Sequence, residues 1–244
     1  MRKFLVFLLG GSMLILTSCI DMVEELYLNK DGSGKYIMKF DMSGMFSNPF
    51  MMGMMEETMK KELKLDENEN LEKDSIMYYK DLPGAARLSP DEKAMLGNAN
   101  IHMQMSQEKK QMVASTELAF KSFEELEKIR TLIKKISEED GQGGLTGGSS
   151  PFASDAIFKL DKRTLTRMPN VQESDLFEGE QMDMVKMFLE GATMTSIYHL
   201  PGKVKKTTIK DAKVEGKTVT VIADLLDLVD KKTTLDGNIL FKKR

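Results

Sequence analysis

Residues 22–42 read Met22-Val23-Glu24-Glu25-Leu26-Tyr27-Leu28, then Asn29-Lys30-Asp31-Gly32-Ser33-Gly34, then Lys35-Tyr36-Ile37-Met38-Lys39-Phe40-Asp41-Met42. The central six residues are turn formers, and beyond them Tyr36, Met38, Phe40 and Met42 alternate with Lys35, Ile37, Lys39 and Asp41. Met22, Glu24, Leu26 and Leu28 lead into the turn at the same spacing of two. A period of two is that of a half-buried strand, so the stretch is a β-hairpin.

The pattern recurs towards the carboxyl terminus. Ile101, Met103 and Met105 face inward, a turn falls near Glu108-Lys109, and Met112, Ala114, Thr116, Leu118 and Phe120 return. Further hairpins are expected over about 155–168 and before Val219 and Val221, where Glu215-Gly216 supplies the turn, with strands over about 193–223 and a last one over about 234–242. Ile76 to Leu82 reads as a short strand after a charged loop at 66–73.

Helices interrupt this series. Ser89 is an N-cap with Pro90 in the first helical position, opening a short helix to Leu96. Ser122 and Glu125 form a capping box ahead of an apolar stripe of Phe123, Leu126, Ile129, Leu132, Ile133 and Ile136, with glutamates at its start and lysines at its end. Met51, Met52, Met55, Met59 and Leu63 fall on one helical face, and another helix is expected over about 173–191. The fold class expected is α+β, an antiparallel sheet built from hairpins with amphipathic helices packed on it. Gly, Ser and Thr over 141–150 predict a flexible loop inside one domain spanning 19–244.

Ahead of the first hairpin lie Arg2 and Lys3, an apolar stretch from Phe4 to Leu16, and Leu16-Thr17-Ser18-Cys19. About a dozen apolar residues are too few to cross a bilayer, which takes roughly 20 in a helix, so 1–18 reads as a signal peptide. The four residues at its end resemble the lipobox of bacterial lipoproteins. That resemblance implies a diacylglycerol on the thiol of Cys19, cleavage before it and acylation of the new amine. Membrane lipid is then a partner through Cys19, and two or more acyl chains anchor stably where one is marginal. The first strand starts so soon afterwards that a tether of four residues spans at most about 14 Å, which sets the domain on the membrane surface. Ile20 after the cysteine points to the outer membrane, facing the periplasm, under the enterobacterial sorting pattern.

Cys19 is the one cysteine, so no intrachain disulfide can form. Without Arg2 and Lys3 the chain carries 33 basic against 38 acidic residues, a net charge of −5. That balance argues against a nucleic-acid partner and against charge-driven binding to anionic lipid.

Each chemical motif has a plainer reading. Asn29 to Gly34 resembles the start of a calcium loop, but Phe40 stands where the bidentate glutamate belongs, which favours a simple turn. Gly32-Ser33-Gly34-Lys35 lacks the first glycine of a phosphate loop and precedes a strand. The methionines at 51–59 offer thioethers to copper(I), yet 21 methionines spread along the chain favour a methionine-rich core or an adaptable apolar surface. His102 and His199 are the only histidines, so a histidine zinc site needs both; each reads as a solvated surface residue. Asp224, Asp227 and Asp230 recur every third residue, as the polar face of a short amphipathic segment would. No catalytic residue, cofactor or metal site is assigned.

Tyr198-His199-Leu200-Pro201-Gly202-Lys203-Val204 and Val219-Thr220-Val221-Ile222-Ala223-Asp224-Leu225 are similar to the LppM-like envelope lipoprotein domain. That resemblance implies a small α+β domain, with lipid or glycolipid recognition suggested for some members, and brings no catalytic residues. Three function classes stand: a non-enzymatic envelope lipoprotein binding a lipid, glycan or protein partner; a hydrolase acting on envelope polymers; and a structural lipoprotein subunit.

Overall fold

The computed structural model describes residues 20–47, 52–53, 71–139, 156–169, 186 and 189–242. The first hairpin is there: β1 (Asp21–Leu28) pairs antiparallel with β2 (Gly34–Asp41), from Asp21 opposite Asp41 to Leu28 opposite Gly34. Gly34 is required by space rather than by backbone angle. A Cβ there would lie 2.2 Å from the Tyr27 carbonyl oxygen and 2.5 Å from Phe120 Cζ. The second hairpin joins β4 (Asn100–Ser106) to β5 (Gln111–Phe120), with the inward faces the alternation predicts apart from the partly buried Met103 and Thr116.

Four further strands complete a sheet of eight. They are β3 (Glu72–Tyr78), β8 (Thr193–His199), and the hairpin of β10 (Lys213–Glu215) with β11 (Thr218–Asp224), in the order β10-β11-β8-β1-β2-β5-β4-β3. Four more strands form a second sheet, ordered β6-β7-β12-β9: β6 (Ile157–Asp161), β7 (Thr164–Met168), β9 (Val204–Thr207) and β12 (Gly237–Phe241).

This corrects the expected architecture. The protein is sheet-rich with a few helices, its strands divide between two sheets, and the larger sheet is mixed because β1 and β8 run parallel at its middle. Strand β3 begins at Glu72, inside the stretch expected as charged loop, and ends at Tyr78; 3-10 turns follow at Tyr79–Asp81 and Pro83–Arg87. Glu72, Lys73 and Asp74 are tolerated in a strand because β3 is an edge, where charge also discourages pairing with another chain. The last strand starts at Gly237, three residues later than expected.

Both capped helices form. In Pro90–Leu96 the Ser89 hydroxyl accepts from the Glu92 amide and the Glu92 carboxylate accepts from the Ser89 amide. The long helix, Phe123–Glu139, buries all six residues of its predicted stripe against β5, β6 and the Pro83–Arg87 turn. It runs past Lys134 and Lys135, so its last turn carries acids rather than the expected lysines.

The core lies on the inner face of the large sheet and is dense in methionine: Met22, Met38, Met42, Met45, Met105, Met112 and Met194 are all buried. Around Phe158 of β6 it is aromatic, with Tyr36, Phe123 and Tyr198 rings centred 6.1, 5.8 and 6.4 Å away. Beyond Met52 and Gly53 the methionine-rich segment lies outside the described residues, as do the 141–150 loop and most of the helix expected at 173–191. Among the described residues, no helix is long and apolar enough to cross a membrane.

Candidate functional site

Cys19 also lies outside the described residues, but the chain next to it is placed. Ile20 is 6% exposed, and β1 starts one residue later. Asp21 is held from both sides, by pairing with Asp41 and Thr193 and by the Thr193 hydroxyl, which donates to its Oδ1 at 2.7 Å.

Three residues along β1, Glu24 is fully buried. It sits in the inward phase of Met22, Leu26 and Leu28 and joins the two sheets. Its Oε1 accepts from the Tyr36 hydroxyl at 3.0 Å, and its Oε2 from the Ser196 hydroxyl at 2.9 Å and from Arg167 Nε at 3.3 Å. Arg167, on β7 of the small sheet, also donates through Nη1 to Asp236 Oδ1 at 3.1 Å, and the Thr234 hydroxyl donates to Asp236. Burial opposes the Arg167 charge, but Glu24, then Tyr198 and Asp236, outweigh it and raise its pKa. Burial, followed by the Glu24 charge, pushes Tyr36 and Tyr198 well above the ordinary tyrosine value. A carboxylate enclosed this way has its lone pairs committed to three side chains and gives no approach to a reacting atom. The cluster fastens one sheet to the other.

Sequence reading missed this cluster, although its two charged members were visible. Glu24 among Met22 and Leu26, and Arg167 one step of two after Leu165, are charges in apolar phases. What the sequence did not show is that they meet across 143 residues.

Arg130, on the long helix, adds a second, partly buried cation. Its guanidinium carbon lies 4.3 Å from the Tyr36 ring centroid, and Nη1 donates to the Ala156 carbonyl at 2.6 Å and to Glu127 Oε1 at 3.0 Å.

The opposite face of the same sheet holds both histidines. His199 stacks on Tyr27 with ring centroids 4.2 Å apart and planes 9° from parallel, and its Nε2 is 3.4 Å from Glu25 Oε2. The Tyr27 hydroxyl donates to the same carboxylate oxygen, and this hydrogen bond is the main reason its pKa is raised. His102 Nε2 is 2.7 Å from Asp74 Oδ1. Both rings are about a third exposed, as the surface reading expects, and each has a carboxylate nearby. They stand on β8 and β4, four strand spacings apart, about 19 Å at ordinary sheet geometry, so one metal ion cannot take both.

The remaining motifs resolve locally. Asp224 caps the Leu225–Val229 helix by accepting from the Leu226 and Asp227 amides, whereas Asp230 pairs with Lys186 at 3.0 Å and Lys232 at 2.9 Å. In the Asn29–Gly34 turn, Asp31 Oδ1 accepts from the Ser33 hydroxyl and amide, bonds that lower its pKa. Among the described residues, no group of three or more His, Cys, Asp or Glu is placed to hold a metal ion.

No family model matches the chain, and no curated protein matches it. A solved structure similar to it is the NMR structure of the folded domain of Mycobacterium tuberculosis LppM, at 7% identity and a TM-score of 0.40, over 93% of this chain and 92% of that one. A likeness of that size carries no function across.

Proposed function

We propose that the chain is a lipid-anchored envelope lipoprotein whose domain binds a lipid, glycan or protein partner without catalysing a reaction on it. The observation that carries this reading is the Leu16-Thr17-Ser18-Cys19 sequence placed directly before the first strand of a folded sheet. A signal peptide ending one residue short of a core position needs an anchor without a spacer, and acylated cysteine is such an anchor. The non-enzymatic part rests on how the buried carboxylate is used: Glu24 is consumed by Arg167, Tyr36 and Ser196. Ile20 after the cysteine supports an outer-membrane address, facing the periplasm, under the enterobacterial sorting pattern.

Intact mass of the protein extracted from membranes tests the anchor. The expected product begins at Cys19 and carries a diacylglycerol and an amide-linked acyl chain, whereas Cys19→Ser leaves an uncleaved or soluble chain. Membrane retention of a mature-sized Cys19→Ser product would overturn the proposal. Density-gradient separation of the inner and outer membranes tests which of the two holds the protein.

A further inference from the structure

We infer that the end of the eight-stranded sheet at which β1 begins is seated directly on the bilayer, facing its phospholipid headgroups, and that the Asn29–Gly34 end points away. The inference rests on acylation of Cys19 as proposed above and adds a fixed orientation to it.

Covalent geometry carries the argument. Consecutive Cα atoms lie 3.8 Å apart across a trans peptide, so Cys19 is within that distance of Ile20. Ile20 is a buried core residue, and Asp21 is already paired on both sides. No flexible spacer separates lipid from fold. The attachment point is also central, because β1 has three strands on one side and four on the other. A molecule held at the middle of one sheet end has little freedom to lie on its side.

Pairing registers identify what shares that end. Asp224, Thr193, Asp21, Asp41, Val113, Gln104 and Asp74 form one row across seven strands. Beyond the row on one flank are the 3-10 turn Ser43–Ser47 and the exposed turn residues Glu108, Lys109 and Lys110. On the other flank are the short helix Leu225–Val229, with Val229 37% exposed, and Lys232. Four of the seven residues in the row are aspartates, and Lys109, Lys110 and Lys232 stand on its flanks, so this end carries both signs of charge, which suits a surface of phosphate and amine groups better than a purely anionic one. The Asn29–Gly34 turn lies eight strand residues away, roughly 25 Å further from the membrane.

The one natural cysteine is acylated under this reading, so an introduced cysteine is the only free thiol. Lys109→Cys and Lys30→Cys variants of the full chain, extracted in their acylated form, are labelled with a fluorophore and reconstituted into phosphatidylethanolamine–phosphatidylglycerol vesicles. A lipid spin-labelled at the headgroup serves as quencher. The expected result is quenching several-fold stronger at position 109 than at position 30. Equal quenching, or stronger quenching at 30, in protein that floats with the vesicles and carries its acyl mass would overturn the orientation alone. Protein without the acyl mass, or that does not float, would sink the lipid anchor and the orientation with it.

Discussion

Glu24 and Glu25 are neighbours in the chain with the same side chain and opposite surroundings. Glu24 is fully buried among an arginine, a tyrosine and a serine from three other strands; Glu25 faces outward beside Tyr27 and His199, its side chain 27% exposed. The difference comes from the pleat, which sends successive residues to opposite faces. On the inner face the carboxylate holds two sheets together. On the outer face it trims the local charge of one.

The largest expected effect follows from that contrast. Removing one partner of a buried ion pair strands the other, at a cost of about 3–5 kcal/mol, so Arg167→Ala and Glu24→Ala should each lose that much in denaturant unfolding. A Glu24→Leu/Arg167→Met double variant should regain most of it, because apolar replacement of both partners is often neutral or stabilising. If Glu24→Ala were no more damaging than Glu25→Ala, the distinction between the two faces would collapse.

A smaller effect is expected inside the cluster. Ser196→Ala removes one hydrogen bond to a charged acceptor and should cost about 1.5–3 kcal/mol in the same unfolding experiment. On the outer face, Glu25→Ala should stay within about 1 kcal/mol, and its effect should shrink further as salt is added.

Two titrations sharpen the picture of the exposed face. The Tyr27 pKa is raised chiefly by its hydrogen bond to Glu25, so that bond's contribution is present below the ordinary tyrosine pKa and fades as pH rises through the folded value. Glu25→Gln should move the absorbance titration of Tyr27 down towards the ordinary value. Asp74 is held below the ordinary carboxylate value, first by its hydrogen bond to His102 and then by that to Gln104. Its contribution is present above the ordinary value and lost as pH falls through the folded one. His102→Gln should raise the Asp74 midpoint in an NMR titration, with little change in stability because Asp74 is exposed.

Local features were legible from the sequence and distant ones were not. Ser122 and Glu125 announced the long helix, Ser89 and Pro90 the short one, and Asn29 to Gly34 the first turn, because each signal sits within a few residues of what it specifies. Strand β3 was displaced because Glu72 and Lys73 read as loop, although an edge strand accepts such residues. The parallel pairing of β1 with β8 and the division into two sheets left no mark in any short window. For the same reason Glu24 and Arg167 were visible as charges in apolar phases but not as partners.

The parallel pairing also constrains the order in which the protein can be completed. In a chain made from the amino terminus, β1 acquires its hairpin partner β2 almost at once, but β8 only about 170 residues later, as the Ser196–Glu24 bond records. Until then β1 is an open edge, and Glu24 on its apolar side waits for both Arg167 and Ser196. Contacts of such sequence separation are slow to form. The nascent domain passes through a half-sheet stage in which the edge that later becomes its centre is open to pairing with a neighbouring molecule.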